Sequence, residues 1–185
     1  MKAARFFNQV GVNMFTKIDL CSMALLKLGE KPIQSFQEDT AAAQLAQTLF
    51  EPTVSSLLAM FPWHFATEVL TLQRNTDGDF VIPSNVLRII KCEGKVNGNK
   101  IITSGDTLEI SAIVKKDTED FPGYFAILVA AKLAVEFCIP LLGDANVFRM
   151  LTALYESEYQ SAKFVDSTVS RQSNIEDFSL INSRF

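Results

Sequence analysis

The sequence is poor in the residue types that most chemistry requires. It has one histidine, His64, in 185 residues, which excludes a multi-histidine metal site and any relay of paired imidazoles. Set between Trp63 and Phe65, that histidine reads as a packed or rim residue. The three cysteines (Cys21, Cys92, Cys138) are odd in number, far apart, and each in an apolar neighbourhood. They read as free buried thiols suited to a reducing compartment, with neither a disulfide framework nor a metal cluster. No basic stripe is present. The longest cationic cluster, Lys115-Lys116, is followed at once by Asp117, Glu119 and Asp120, and the net charge is −4. That balance speaks against a protein that grips nucleic-acid phosphates. No apolar run approaches the roughly 18 residues of a membrane span. The motifs of phosphate loops, Cys-x-x-Cys pairs, His-Glu-x-x-His helices and nucleophile elbows are all missing.

The acidic residues do not fill the gap. Glu156 and Glu158 lie two apart on a predicted helix and so face different ways. Asp77 and Asp79 bracket Gly78 in a turn and are too few for a calcium loop. The composition therefore predicts no catalytic residue, no metal and no cofactor.

What the chain does have is phenylalanine, 15 of them against one tryptophan and three tyrosines. Its length suits one domain with a sizeable core and a small insertion. Residues 1–15 read as an N-terminal extension. Met1-Lys2-Ala3-Ala4-Arg5-Phe6-Phe7 hints at a signal peptide, but Asn8, Gln9 and Asn13 break any apolar stretch, and Met14 is an alternative start.

The main domain spans 16–165. A first helix over about 17–29 carries Ile18, Cys21, Leu25 and Leu28 at spacings of three and four, and Gly29 is a natural stop. Asp39 and Thr40 cap a second helix over about 40–61, with Leu45, Leu49, Leu57, Leu58 and Phe61 on its apolar face. Pro52 falls inside it, which predicts a kink or break, and Pro62 ends it. From about 67 to 116 the pattern turns to short β-branched runs separated by Asn75-Thr76-Asp77-Gly78, Asn97-Gly98-Asn99 and Ser104-Gly105-Asp106, so a small antiparallel β unit is expected there, with Asn97-Gly98 as a tight hairpin. Helical spacing returns over about 122–140, opened by Pro122 and closed by Pro140 and Gly143. A fourth helix over about 144–164 is capped by Asp144, with Val147, Leu151, Leu154 and Tyr155 on one face, Glu158 giving way to Ala162. Residues 166–185 lose periodicity and read as a polar C-terminal arm. The expected fold is mainly α (α+β): a four-helix bundle of two helical hairpins with the β unit inserted between them.

Three segments in order carry a family resemblance. They are Leu28-Gly29-Glu30-Lys31-Pro32-Ile33, then Phe61-Pro62-Trp63-His64-Phe65-Ala66 at a helix exit, then Phe80-Val81-Ile82-Pro83-Ser84-Asn85-Val86-Leu87-Arg88-Ile89. Together they resemble the head-to-tail adaptor family (tail tubular protein A-like, or gatekeeper) of short-tailed bacteriophages, over about residues 17–164. Asn85 stands where that family favours an acidic residue, and Phe80 where tyrosine is common. The structural positions carried over are Leu28, Gly29, Pro32, Pro62, Trp63, Phe65, Ala66, Pro83, Leu87 and Arg88.

The resemblance implies a virion protein at the head–tail junction, assembled in the host cytoplasm. It would form a ring, typically dodecameric, docked under the portal protein and meeting the tail nozzle or fibre proteins, with DNA passing through unbound and no membrane involved. It also implies that the C-terminal arm reaches the portal, where Phe178, Leu180, Ile181 and Phe185 are the candidate anchors. Other expectations left open are a head-completion connector of a long-tailed phage or gene-transfer particle and, more remotely, a virion-associated hydrolase using Asp144, Glu156 or Glu158.

Overall fold

A computed structural model describes residues 15–175, with side chains through residue 169. It is mixed α+β: four helices and two small antiparallel sheets. Helix α1 (Lys17–Lys27) starts at a capping box. The Thr16 hydroxyl accepts from the Asp19 N–H at 3.1 Å, and the Asp19 carboxylate accepts from the Thr16 N–H at 2.9 Å. It ends in a Schellman turn: Gly29, at φ 77°, donates to the Leu26 carbonyl, and the Glu30 N–H donates to that of Leu25.

Helix α2 (Ala41–Met60) is capped by Thr40, whose side chain accepts from the Ala43 N–H. It is not broken at Pro52. The missing hydrogen bond and the ring clash cost about 3 kcal/mol; burial of Phe50, Thr53 and Val54 around the proline holds both halves on the core and outweighs that cost. The buried face is also rotated from the expected leucine stripe. Ala43, Ala46, Phe50, Val54 and Leu57 face inward, while Leu45 and Leu49 are half-buried.

Helix α3 (Gly123–Leu142) begins one residue after Pro122 and runs through Pro140 to Gly143, whose φ of 64° puts it in the left-handed region where it donates to the Cys138 and Ile139 carbonyls. Contrary to the expectation of no long apolar run, α3 is long and apolar enough to cross a membrane by length and composition, with mean hydropathy 2.2 over an 18-residue window. Here it is the central element. α1, α2 and α4 (Ala145–Ile175) all pack on it, and 61% of that window is buried. Its hydropathy is that of a helix enclosed on several sides.

The expected β unit consists of two three-stranded sheets. One has the order β1 (Thr67–Gln73), β6 (Thr107–Val114), β3 (Val86–Cys92); the other has β2 (Phe80–Val81), β5 (Lys100–Ile102), β4 (Lys95–Asn97). The β4–β5 turn pairs Asn97 with Lys100, so its central residues are Gly98 and Asn99. Gly98 alone has positive φ, the signature of a type II′ turn, where Asn97-Gly98 as the central pair would have required type I′. Strand β6 lies between two cores. Leu108, Ile110 and Ala112 point into a small core with Leu72, Phe80 and Ile101, while Ile113 points the other way into the helical core.

Candidate functional site

The joint between helices and sheets is built on Phe61–Ala66. Phe61 leaves α2 with φ −135° and ψ 146°, the extended geometry that a following proline imposes. Trp63 is fully buried. Its ring meets Phe61 (4.9 Å), Phe125 (5.1 Å), Tyr159 (6.2 Å) and Phe65 (6.4 Å), and its indole N–H donates to the Leu57 carbonyl at 2.9 Å. That carbonyl belongs to the last turn of α2, where intrahelical donors run out. Phe65 packs on Phe125 with the rings tilted at 59° and 4.9 Å between centroids, approaches Phe121 and Tyr124, and Ala66 is fully buried. Lys163 from α4 sits 5.3 Å from both the Phe61 and Tyr159 rings.

The residue that ties this joint together was not anticipated. Asp166 on α4 is 2% exposed. Its carboxylate accepts the His64 backbone N–H at 2.9 and 3.1 Å and the Tyr124 hydroxyl at 2.7 Å. Burial, reinforced by the hydrogen bond and charge of Asp166, raises the Tyr124 phenol above its ordinary range. Helix α4 therefore does not end near residue 164. It continues to Ile175, and the first part of the expected arm is helical. The signal was present in the spacing: Leu151, Tyr155, Tyr159, Ala162 and Asp166 recur at four, four, three and four. Asp166 breaks the apolar pattern without leaving the face. Leu154, expected on that face, is 38% exposed.

The other anticipated residues are not gathered into one site. Leu28 and Ile33 enter the helical core, Pro32 is exposed, and the Ser22 hydroxyl donates to the Ile33 carbonyl across that turn. Pro62 and the His64 side chain are at the surface; His64 contributes through its backbone. Pro83 is half-buried, Leu87 packs on the helical core and Arg88 is exposed on β3. Phe178, Leu180, Ile181 and Phe185 lie outside the described residues.

Asp144 accepts from the Asn146 and Val147 N–H groups at the start of α4, a capping role, and neither Glu156 nor Glu158 is buried. Asp79 pairs with Lys100 at 2.8 Å, and the Asn75 side chain accepts from Asp77 and Asp79 to shape their turn. Glu51 on α2 accepts from Lys115 at 2.7 Å and from Lys17, which lowers its carboxyl below the usual value. Cys21 and Cys138 are buried and Cys92 half-buried, all free; burial pushes the Cys21 thiol up to about 12, away from reactivity. Among the described residues no group of three His, Cys, Asp or Glu side chains is placed to hold a metal.

The depression beside the joint is shallow and open, lined by Phe61, Pro62, His64, Thr67, Ile90, Ser111, Asp166 and Ser167. It has hydrogen-bonding groups but no nucleophile–base pair. No protein-family model matches the chain, and no curated protein is significantly similar to it.

Proposed function

We propose that the chain is a structural subunit of a virus particle, a head-to-tail adaptor of the short-tailed phage type. In this reading α1–α4 form a four-helix bundle of two helical hairpins. Copies close into a ring, dodecameric as the family resemblance implies, under the portal protein, and the opposite side receives the nozzle or fibre proteins. DNA passes through the centre, and no catalytic step is assigned to any residue.

The observation that supports this reading is where the three ordered motif segments fall. Leu28–Ile33 forms the stop after α1, Phe61–Ala66 the sealed exit from α2, and Pro83–Ile89 the entry into β3. They are joints of the fold, the places where a shared architecture constrains sequence. The test is cryo-EM of the protein mixed with the portal protein of the same particle. A ring of extra density beneath the portal is expected. Its loss on deleting 176–185, with the fold intact, would assign Phe178, Leu180, Ile181 and Phe185 to docking. Portal particles without added density at saturating protein would sink the proposal.

A further inference from the structure

The depression beside the joint is rich in acceptors and is lined by a buried carboxylate, Asp166. Oδ1 of Asp166 accepts from the Tyr124 hydroxyl and the His64 N–H, whereas Oδ2 has the His64 N–H alone, at 2.9 Å. Both donors are neutral. An ionised carboxylate offers about four acceptor positions, so these contacts leave Oδ2 with capacity to spare. Among the described residues no cation forms an ion pair with Asp166. Lys163, one turn earlier on α4, lies over the Phe61 and Tyr159 rings instead. A buried carboxylate without a counter-ion is costly, and pairing it with a cation offsets that cost.

Two hydroxyls in the lining add to this bias. The Thr67 hydroxyl donates to the Trp63 carbonyl at 2.7 Å, and the Ser167 hydroxyl donates to the Lys163 carbonyl at 2.7 Å. With their protons spent inside the chain, both oxygens are left as acceptors. The rest of the wall is mainly apolar, from Phe61, Pro62 and Ile90. Such a surface suits a cation with many donors, no acceptor and weakly hydrated faces. A guanidinium has five donors and is less hydrated than the ammonium of lysine. We infer that this depression docks an arginine side chain of a partner protein, with the guanidinium on Oδ2 of Asp166 and the stem along Phe61, Pro62 and Ile90. Its shallowness decides between a side chain and a free molecule. Sites for free small ligands bury most of the ligand, which an open depression does not do. An arginine carried on another protein needs only its own stem and head covered here, because the surrounding interface adds to the affinity. The inference uses this depression alone, so it stands whether or not the chain is an adaptor.

Heteronuclear NMR titration of the full-length protein with the peptide acetyl-Gly-Arg-Gly-amide tests it. The His64 amide is the direct reporter, because its N–H bonds to the Asp166 carboxylate. Saturable shifts are expected at His64, Thr67, Ser111 and Ser167, in the millimolar range for so small a probe. The matching lysine peptide is expected to bind several-fold more weakly. The citrulline peptide, which keeps the shape without the charge, is expected not to bind measurably. Asp166→Asn is expected to weaken binding by about tenfold or more, as for the loss of a charge-assisted contact. Ser167→Lys, at an exposed helix position, sets an ammonium at the mouth of the depression and is expected to do the same. It decides the matter if Asp166→Asn does not fold. No shift at these amides overturns the proposal. So does equal binding of the arginine peptide and either of the other two, or binding that survives Ser167→Lys unchanged. Arg171→Gln and Arg184→Gln separate the other source of the same chemistry. A wild-type protein that ignores the peptide while either variant binds it would show the chain's own arginine filling the site, and the assignment to a partner would fall.

Discussion

Trp63 serves the joint through its ring and through its N–H, and two substitutions separate these. Trp63→Ala empties a fully buried aromatic site and is expected to cost about 3–5 kcal/mol of stability. Trp63→Phe keeps much of the packing but removes the donor to the Leu57 carbonyl, and is expected to cost clearly less, on the order of 1–2 kcal/mol. Urea unfolding of both checks the order; equal losses would mean that the indole N–H, not the ring, dominates. Tyr124 and Asp166 give a second residue-level outcome. The Tyr124 phenol is raised in the folded protein, so above the ordinary tyrosine value of about 10 the unfolded chain loses this proton first. The native state then binds more protons, and stability falls as pH rises further. Tyr124→Phe removes that alkaline contribution. It also removes a hydrogen bond to a carboxylate, worth about 1.5–3 kcal/mol at neutral pH. Thermal unfolding from neutral to strongly alkaline pH should show a lower but flatter curve for Tyr124→Phe; curves that stay parallel would exclude Tyr124 as the titrating group. His64 was legible as a packed or rim residue, and its side chain lies at the surface. Its N–H partner, Asp166, was not legible, because a lone aspartate on a helix looks like surface until the opposing backbone N–H is in place.

At the scale of elements, α4 from Lys163 to Val169 depends on one buried polar contact. From Lys163 to Val169 Asp166 is the only buried residue, while Phe164 is 72% exposed and Val165 and Val169 are partly exposed. If the Asp166 contact is what fastens this part of α4, removal of 176–185 leaves the melting temperature nearly unchanged. Removal of 166–185 takes away the carboxylate that satisfies the His64 N–H and the Tyr124 hydroxyl, leaving buried donors unpaired, and should cost about 2–4 kcal/mol. Calorimetry of the two truncations decides it, and equal stability would show that Asp166 is not a fastening point. Helix boundaries were legible where capping chemistry sets them, at Gly29, Thr40 and Gly143. The stop at Pro62 also held, whereas the ends placed at residue 164 by loss of apolar periodicity and at Pro140 by the proline did not: packing of α4 on α3 carries α4 further, and α3 runs on to its cap at Gly143. The strand β4 was legible only through the hairpin expected at Asn97-Gly98. Lys95, Val96 and Asn97 are exposed, so no alternation marks them, and only pairing with β5 makes them a strand.

At the scale of the whole molecule, the division into a helical core and a small sheet core follows from β6. A strand with Leu108, Ile110 and Ala112 on one side and Ile113 on the other can serve two cores at once. The sequence pattern located these apolar residues but not the second sheet, since one strand's alternation does not say what lies on each face. The charge balance leads to a prediction about the proposed ring. Each subunit carries a net charge of −4, and a closed ring repeats that charge around a single channel. A duplex inside it is repelled by the summed field, which favours sliding over sticking. A channel that instead gripped phosphates would release counterions, and its affinity would fall steeply as salt rises. Fluorescence anisotropy of a labelled duplex against the assembled ring distinguishes the two. The expected result is no tight binding at physiological salt and none emerging as salt is lowered, because weaker screening strengthens the repulsion. Tight binding with a steep negative salt slope would mean that the exposed lysines and arginines face the channel, and the low-friction account would fail even if the ring itself formed.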